Sequence, residues 1–178
     1  TVPLPILRAL ARDQPVGIFH IDSHADTLDT LADTRINHAT TFSNELSVES
    51  SKSLTITAAV GAGDSVTLAN SGTGGISISG NVSSDLDKLA GAGGVTITNT
   101  GKNAPTVISG NVSSRDDDII VNVQGPLTIS GNVDAMFDDV TIFNGGTASG
   151  NTTTISGNVT ALGDAVVVNN GALSSNLN

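Results

Sequence analysis

Ile-Ser-Gly-Asn-Val occurs at 78–82, 108–112, 129–133 and 155–159, preceded by a degenerate copy, Ile56-Thr57-Ala58-Ala59-Val60. Successive starts are separated by 22, 30, 21 and 26 residues, the spacing of solenoid coils. After each copy comes a variable loop and then a second strand: Val66-Thr67-Leu68, Val95-Thr96-Ile97, Ile119-Ile120-Val121, Val140-Thr141-Ile142 and Val166-Val167-Val168. Apolar and polar residues alternate within these strands, and β-branched residues dominate, so one face is buried and Thr or Ser covers the other. A lone coil cannot bury its own apolar face, so the coils must stack. The expectation is a mainly β chain, a parallel β-solenoid of about five irregular coils over residues 45–178, led by a short α/β segment over 1–44. An antiparallel β-sandwich of short strands is the alternative that similar spacing allows. Verbatim recurrence of the pentapeptide favours the solenoid, because equal sequence implies equal surroundings. On this reading Ile78, Ile108, Ile129 and Ile155 are equivalent core positions. Gly and Asn provide left-handed or tightly bent backbone, and Asn81, Asn111, Asn132 and Asn158 stack as an internal ladder.

Bulk properties narrow the function classes. The 178 residues are 38% hydrophobic, with Phe19, Phe42, Phe137 and Phe143 as the whole aromatic complement, so the core must be aliphatic and suits thin stacked layers. The net charge is −10, and residues 116–178 carry Asp but neither Lys nor Arg, which argues against binding a nucleic-acid backbone. No Cys is present, so disulfides and thiolate metal sites are excluded. No apolar run approaches the roughly 18 residues of a membrane span. The first residues lack a signal-peptide pattern, so an extracellular or cell-surface chain, which the composition suggests, would be a mature form.

The amino-terminal stretch has a different character. Leu4 to Arg12 reads as a short amphipathic helix with a proline in its first turn, and Pro15 ends it. Val16 to Ile21 follows as a buried strand, delivering Asp22, His24 and Asp26 into the loop at its carboxyl end. Two carboxylates and an imidazole in a D-x-H-x-D stretch are hard and borderline ligands, suited to Mn²⁺ or Zn²⁺.

Asp22-Ser23-His24-Ala25-Asp26 resembles the Asp-Ala-His-x-Asp signature of the ureohydrolases, the agmatinases, guanidinobutyrases and arginases. Asn37-His38-Ala39-Thr40-Thr41-Phe42 is similar to that family's Asn-His-Gly-Thr-Pro-Phe segment, with Ala39 in place of glycine and Thr41 in place of proline. The resemblance implies that Asp22, His24 and Asp26 are manganese ligands and that His38 is a catalytic proton shuttle. The family's other ligand segments, Gly-Gly-Asp-His and Ser-x-Asp-x-Asp-x-x-Asp-Pro, do not occur here. Half of a binuclear site does not generate a metal hydroxide, so the expectation for this chain alone is no catalysis. The repeats, in general character, resemble those of secreted bacterial β-helical adhesins and autotransporter passengers.

Other constellations are assigned plainer roles. Asp64 in Gly61-Ala62-Gly63-Asp64 and Asp164 in Leu162-Gly163-Asp164 are calcium candidates by likeness to half of a β-roll nonapeptide. The acidic runs Asp116-Asp117-Asp118 and Asp138-Asp139 read as solvated loops able to attract divalent cations. Unequal coil lengths argue against a uniform ice-binding Thr face. The first function class is therefore a structural or adhesive protein that requires no cofactor and self-associates through its solenoid ends. The second is a manganese-dependent amidinohydrolase fragment.

Overall fold

In the computed structural model the described residues are 34–36, 40–42, 45–84, 93–170 and 172–175, with side chains described over 45–84 and 93–170. The expected helix at 4–12 and strand at 16–21 lie outside them. The chain forms β1 (Thr34–Ile36), β2 (Thr40–Phe42) and β3 (Leu46–Ser50), and then five further coils of three strands each. These are β4 (Ser53–Ile56), β5 (Val60–Ala62), β6 (Val66–Asn70); β7 (Gly75–Ile78), β8 (Val82–Ser83), β9 (Val95–Asn99); and β10 (Thr106–Ile108), β11 (Val112–Ser114), β12 (Ile119–Val123). Next come β13 (Leu127–Ile129), β14 (Val133–Ala135), β15 (Val140–Asn144); β16 (Thr152–Ile155), β17 (Val159–Ala161), β18 (Ala165–Asn169); and finally β19 (Ala172–Ser175). Every strand pairs in parallel with its counterpart one coil away, giving sheets of seven, six and six strands. That is the parallel solenoid, and the all-parallel pairing removes the antiparallel sandwich. Strands β1 and β2 pair with β4 and β5, so the stack already includes residues ahead of 45.

The pentapeptide is a corner. Its Ile ends a strand of the first sheet, its Ser-Gly-Asn turns the chain, and its Val opens a strand of the second sheet. Ile56, Ile78, Ile108, Ile129 and Ile155 stand in register and are at most 2% exposed, as the repeat requires. Val60, Val82, Val112, Val133 and Val159 form the matching column across the corner. Each such side chain contributes roughly 1.5–3 kcal/mol by leaving water.

The corner glycines serve another purpose than the one expected. None of Gly80, Gly110, Gly131 and Gly157 has a positive φ; among the described residues that conformation belongs to Gly75, Gly150 and Asn103. A Cβ added at Gly110, Gly131 or Gly157 would instead collide with the carbonyl oxygen of the corner glycine one coil below, and one at Gly80 with the carbonyl of Ala58. Glycine is needed because two backbones approach closely. The asparagine ladder is real but external: the backbone N–H groups of Asn111, Asn132 and Asn158 donate to the Oδ1 atoms of Asn81, Asn111 and Asn132 at 3.0, 3.0 and 3.1 Å, and all four residues are exposed. The inside-outside alternation runs unbroken through the turn, so Ile, Gly and Val point in while Ser and Asn point out.

Variation in coil length is confined to the other two corners. The third-sheet strands β3, β6, β9, β12, β15 and β18 are each five residues long and in unbroken register. The corners that follow β9, β12 and β15 span 100–105, 124–126 and 145–151.

Gly131→Ala should therefore cost about 1–3 kcal/mol through overpacking, whereas Ser130→Ala, at an exposed position of the same turn, should stay within about 0.5 kcal/mol. Ile129→Asp should unfold the domain by burying an unpaired carboxylate. Urea denaturation of the three variants checks all of these. A Gly131→Ala midpoint equal to wild type would contradict the close-approach account.

Candidate functional site

Among the described residues of the repeat region, the corner between the second and third sheets collects most of the acids. Asp is favoured there as a turn residue just ahead of a strand. Asp118, Asp139 and Asp164 immediately precede β12, β15 and β18, which stack in register, so these carboxylates form a column. The backbone N–H of Asp139 donates to Asp118 Oδ1 at 3.2 Å, and that of Asp164 to Asp139 Oδ1 at 2.6 Å. Geometrically this copies the asparagine ladder, with a carboxyl oxygen in place of the amide oxygen at each step. Asp117 and Asp138 lie one residue earlier in the same turns.

Carboxylate oxygens of Asp117, Asp118 and Asp138 lie within 4.8 Å of one another, and all three residues are half-buried. Three hard oxygen donors at that separation could hold Ca²⁺, Mg²⁺ or Mn²⁺. Partial burial, followed by repulsion from Asp118, Asp139 and Asp117, raises the Asp138 pKa above its ordinary value of 3.8, while a hydrogen bond from the Asp139 backbone works against the rise. Arg115 adds an ion pair with Asp116 at 3.8 Å, a partly exposed contact of small energetic weight.

Of the calcium candidates, Asp64 lies in the turn before β6, half-buried against Gly93, and Asp164 is exposed before β18. Strands β9, β12 and β15 separate the coils that carry them, so the fold does not bring the two together. Asp164 instead joins Asp139 in the carboxylate column. Asp22, His24, Asp26 and His38 lie outside the described residues.

A second recurring signal escaped the pentapeptide alignment: Asn-x-Gly closes the third strand at 70–72, 99–101, 144–146 and 169–171, with Ser50-Ser51-Lys52 and Val123-Gln124-Gly125 as the exceptions. Here the asparagines do point inward. Asn99 Nδ2 donates to the inward-facing Thr106 Oγ1 at 2.9 Å, and Asn144 Nδ2 donates to Thr153 Oγ1 at 2.9 Å. Asn99 Oδ1 and Asn144 Oδ1 accept from the backbone N–H groups of Gly101 and Gly146 at 3.2 and 3.0 Å. Where Val123 replaces Asn, Leu127 replaces Thr, so polar faces polar and apolar faces apolar across the corner.

A model of the arginase family matches residues 1–100 of the 178. The chain belongs to the arginase family. No curated protein and no solved structure matches it. The arginase-family segment takes in the Asp22-Ser23-His24-Ala25-Asp26 signature and continues through β9. Within it, the described residues 45–84 are solenoid coils whose buried side chains are mainly aliphatic, with Ser50, Asn70 and Ser84 as the buried polar ones. The carboxylate group of Asp117, Asp118 and Asp138 lies beyond the arginase-family match and contains no histidine.

The raised Asp138 pKa fixes the sign of one pH dependence. A proton binds this group more readily in the folded chain than in the unfolded one, so its contribution to stability is complete below its unfolded pKa and is lost as pH rises through the higher folded value. Asp138→Asn should therefore raise the melting temperature near neutral pH, and that advantage should shrink on acidification toward pH about 4. Thermal melts of both proteins from neutral pH downward check this. An advantage that grows as pH falls would refute the assignment.

Proposed function

We propose that this chain is a structural or adhesive β-solenoid that acts extracellularly through surface contact and end-to-end self-assembly. The observation that carries the reading is the last coil. Val167 stands in register with the core column Val48, Leu68, Ile97, Val121 and Ile142, but is itself half-exposed, and β18 is the terminal strand of its sheet among the described residues. Its neighbours Val166 and Val168 are 43% and 42% exposed.

Hydrogen-bond parity identifies which groups are open. The Val140 N–H donates to Asp164 C=O, and the Asn170 N–H donates to Asn144 C=O, so even-numbered residues of this segment face β15. The Val167 backbone therefore faces the opposite way, toward an incoming strand. A coil of a second copy placed there would extend both the ladder and the apolar column, while the acidic corner keeps the sides soluble. The described residues contain no helix long and apolar enough to cross a membrane.

A second reading rests on the arginase-family match and on Asp22, His24 and Asp26: a manganese-dependent ureohydrolase fragment that requires ligands from another chain. In that reading His38 moves the proton.

Val167→Pro removes an outward N–H while keeping an apolar side chain at the position, so it should reduce oligomers or fibres without breaking the β15 ladder. Sedimentation velocity and negative-stain microscopy at micromolar concentration read this out, and a monomeric wild type would reject self-assembly. The chain alone should release no urea from arginine or agmatine with added Mn²⁺. Turnover that His24→Ala abolishes would promote the ureohydrolase reading.

A further inference from the structure

Unequal corners create a groove. The short turn 124–126 lies between the longer corners 100–105 and 145–151, and the gap between them is a cavity of about 470 Å³ that opens to solvent. Thr100, Lys102 and Asn103 form one wall, Gln124 the floor, and Gly145 to Ala148 the other wall. Its size falls in the range of small-molecule sites, roughly 300–1,000 Å³.

Both walls are held from inside the core. Asn99 accepts from Gly101 and donates to Ala104 C=O at 3.2 Å, while Asn144 accepts from Gly146; Asn151 N–H donates back to Ala148 C=O at 3.0 Å. At the rim, Asn103 adopts the left-handed conformation, φ 58°. A buried polar pair therefore anchors each long corner, and the short corner between them carries the Val123 and Leu127 substitution that dispenses with one.

The electrostatics set this edge apart. Asp64, Asp116, Asp117, Asp118, Asp138, Asp139 and Asp164 all lie on the corner between the second and third sheets, whereas the segments 71–74, 100–105, 124–126 and 145–151 contain no carboxylate. Lys102 is the charged group of the groove, accompanied by amides and hydroxyls. A single cation surrounded by neutral donors and acceptors complements a ligand with one negative charge and several hydroxyls. Phosphate recognition usually draws on more donors of positive charge than this.

We propose that this groove binds a sugar acid, a pyranose bearing one carboxylate, with Lys102 pairing the carboxylate and Asn103, Gln124 and Thr147 hydrogen-bonding its hydroxyls. The proposal is independent of end-to-end assembly. Titration of the isotope-labelled full chain with glucuronate, followed by amide chemical shifts, should give saturable changes at Asn103, Gln124 and Gly145 to Ala148. Lys102→Ala should weaken binding at least about tenfold, Lys102→Arg should retain it, and Thr147→Trp should block it by filling the exposed mouth. Methyl glucuronoside, binding as well as free glucuronate, would indicate a residue within a glycan; loss of binding would indicate the free acid. Glucose binding as tightly as glucuronate, acetate binding as tightly, unaltered affinity in Lys102→Ala, or no saturable shift would each overturn the proposal.

Discussion

The stack depends on one close approach, the passage of the Ser-Gly-Asn backbone of each coil over the same backbone of the coil below. No side chain fits between the glycine and the carbonyl beneath it. Once that contact is made, Ile on one side and Val on the other fall into vertical columns, and the sheets follow with parallel register. The external asparagines complete the lock, because each carboxamide accepts the N–H of the next turn. A backbone that would otherwise present unpaired donors at an exposed bend is satisfied coil by coil.

Inside the prism, polar and apolar residues vary together across the corner between the third and first sheets. Asn99 with Thr106 and Asn144 with Thr153 form buried hydrogen-bonded pairs, and Val123 with Leu127 forms their aliphatic counterpart. The Asn70 coil shows the cost of a mismatch: Ile76 stands at the threonine position, and Asn70 Oδ1 is buried without a partner. Its Nδ2 recovers part of the loss through Gly72 C=O and Asn99 Oδ1 at 2.8 and 3.1 Å. A carbonyl oxygen with unused capacity is the less severe form of such a defect.

The repeat made the solenoid, the isoleucine column and the strands of the third sheet legible, because a phrase copied without change declares an unchanged environment. The second sheet was harder to see: Val112-Ser113-Ser114 and Val133-Asp134-Ala135 are short, and they merge with the polar loops that follow. The outward placement of Asn81 and its successors was open to reading by alternation, since from the inward Ile78 the residues Ser79 and Asn81 fall outside while Gly80 and Val82 fall inside. The inward asparagines were present in the sequence as Asn-x-Gly, hidden because corners of unequal length destroy any fixed period. For the acidic corner the composition indicated carboxylates, but the stacking of Asp118, Asp139 and Asp164 required the register. The Asp22, His24 and Asp26 motif was legible through family likeness alone, since no repeat surrounds it.

The inequality among the three corners also governs how such a chain can change over generations. Length inserted at the Ser-Gly-Asn turn would separate the backbones on which every column rests, so that turn acts as punctuation and is copied verbatim. Length inserted after the third sheet leaves the columns untouched, as the coils with corners 100–105, 124–126 and 145–151 demonstrate within a single molecule. New surface can therefore arise by insertion at that edge without any new solution to the folding problem, and neighbouring insertions of different size produce concave relief between them.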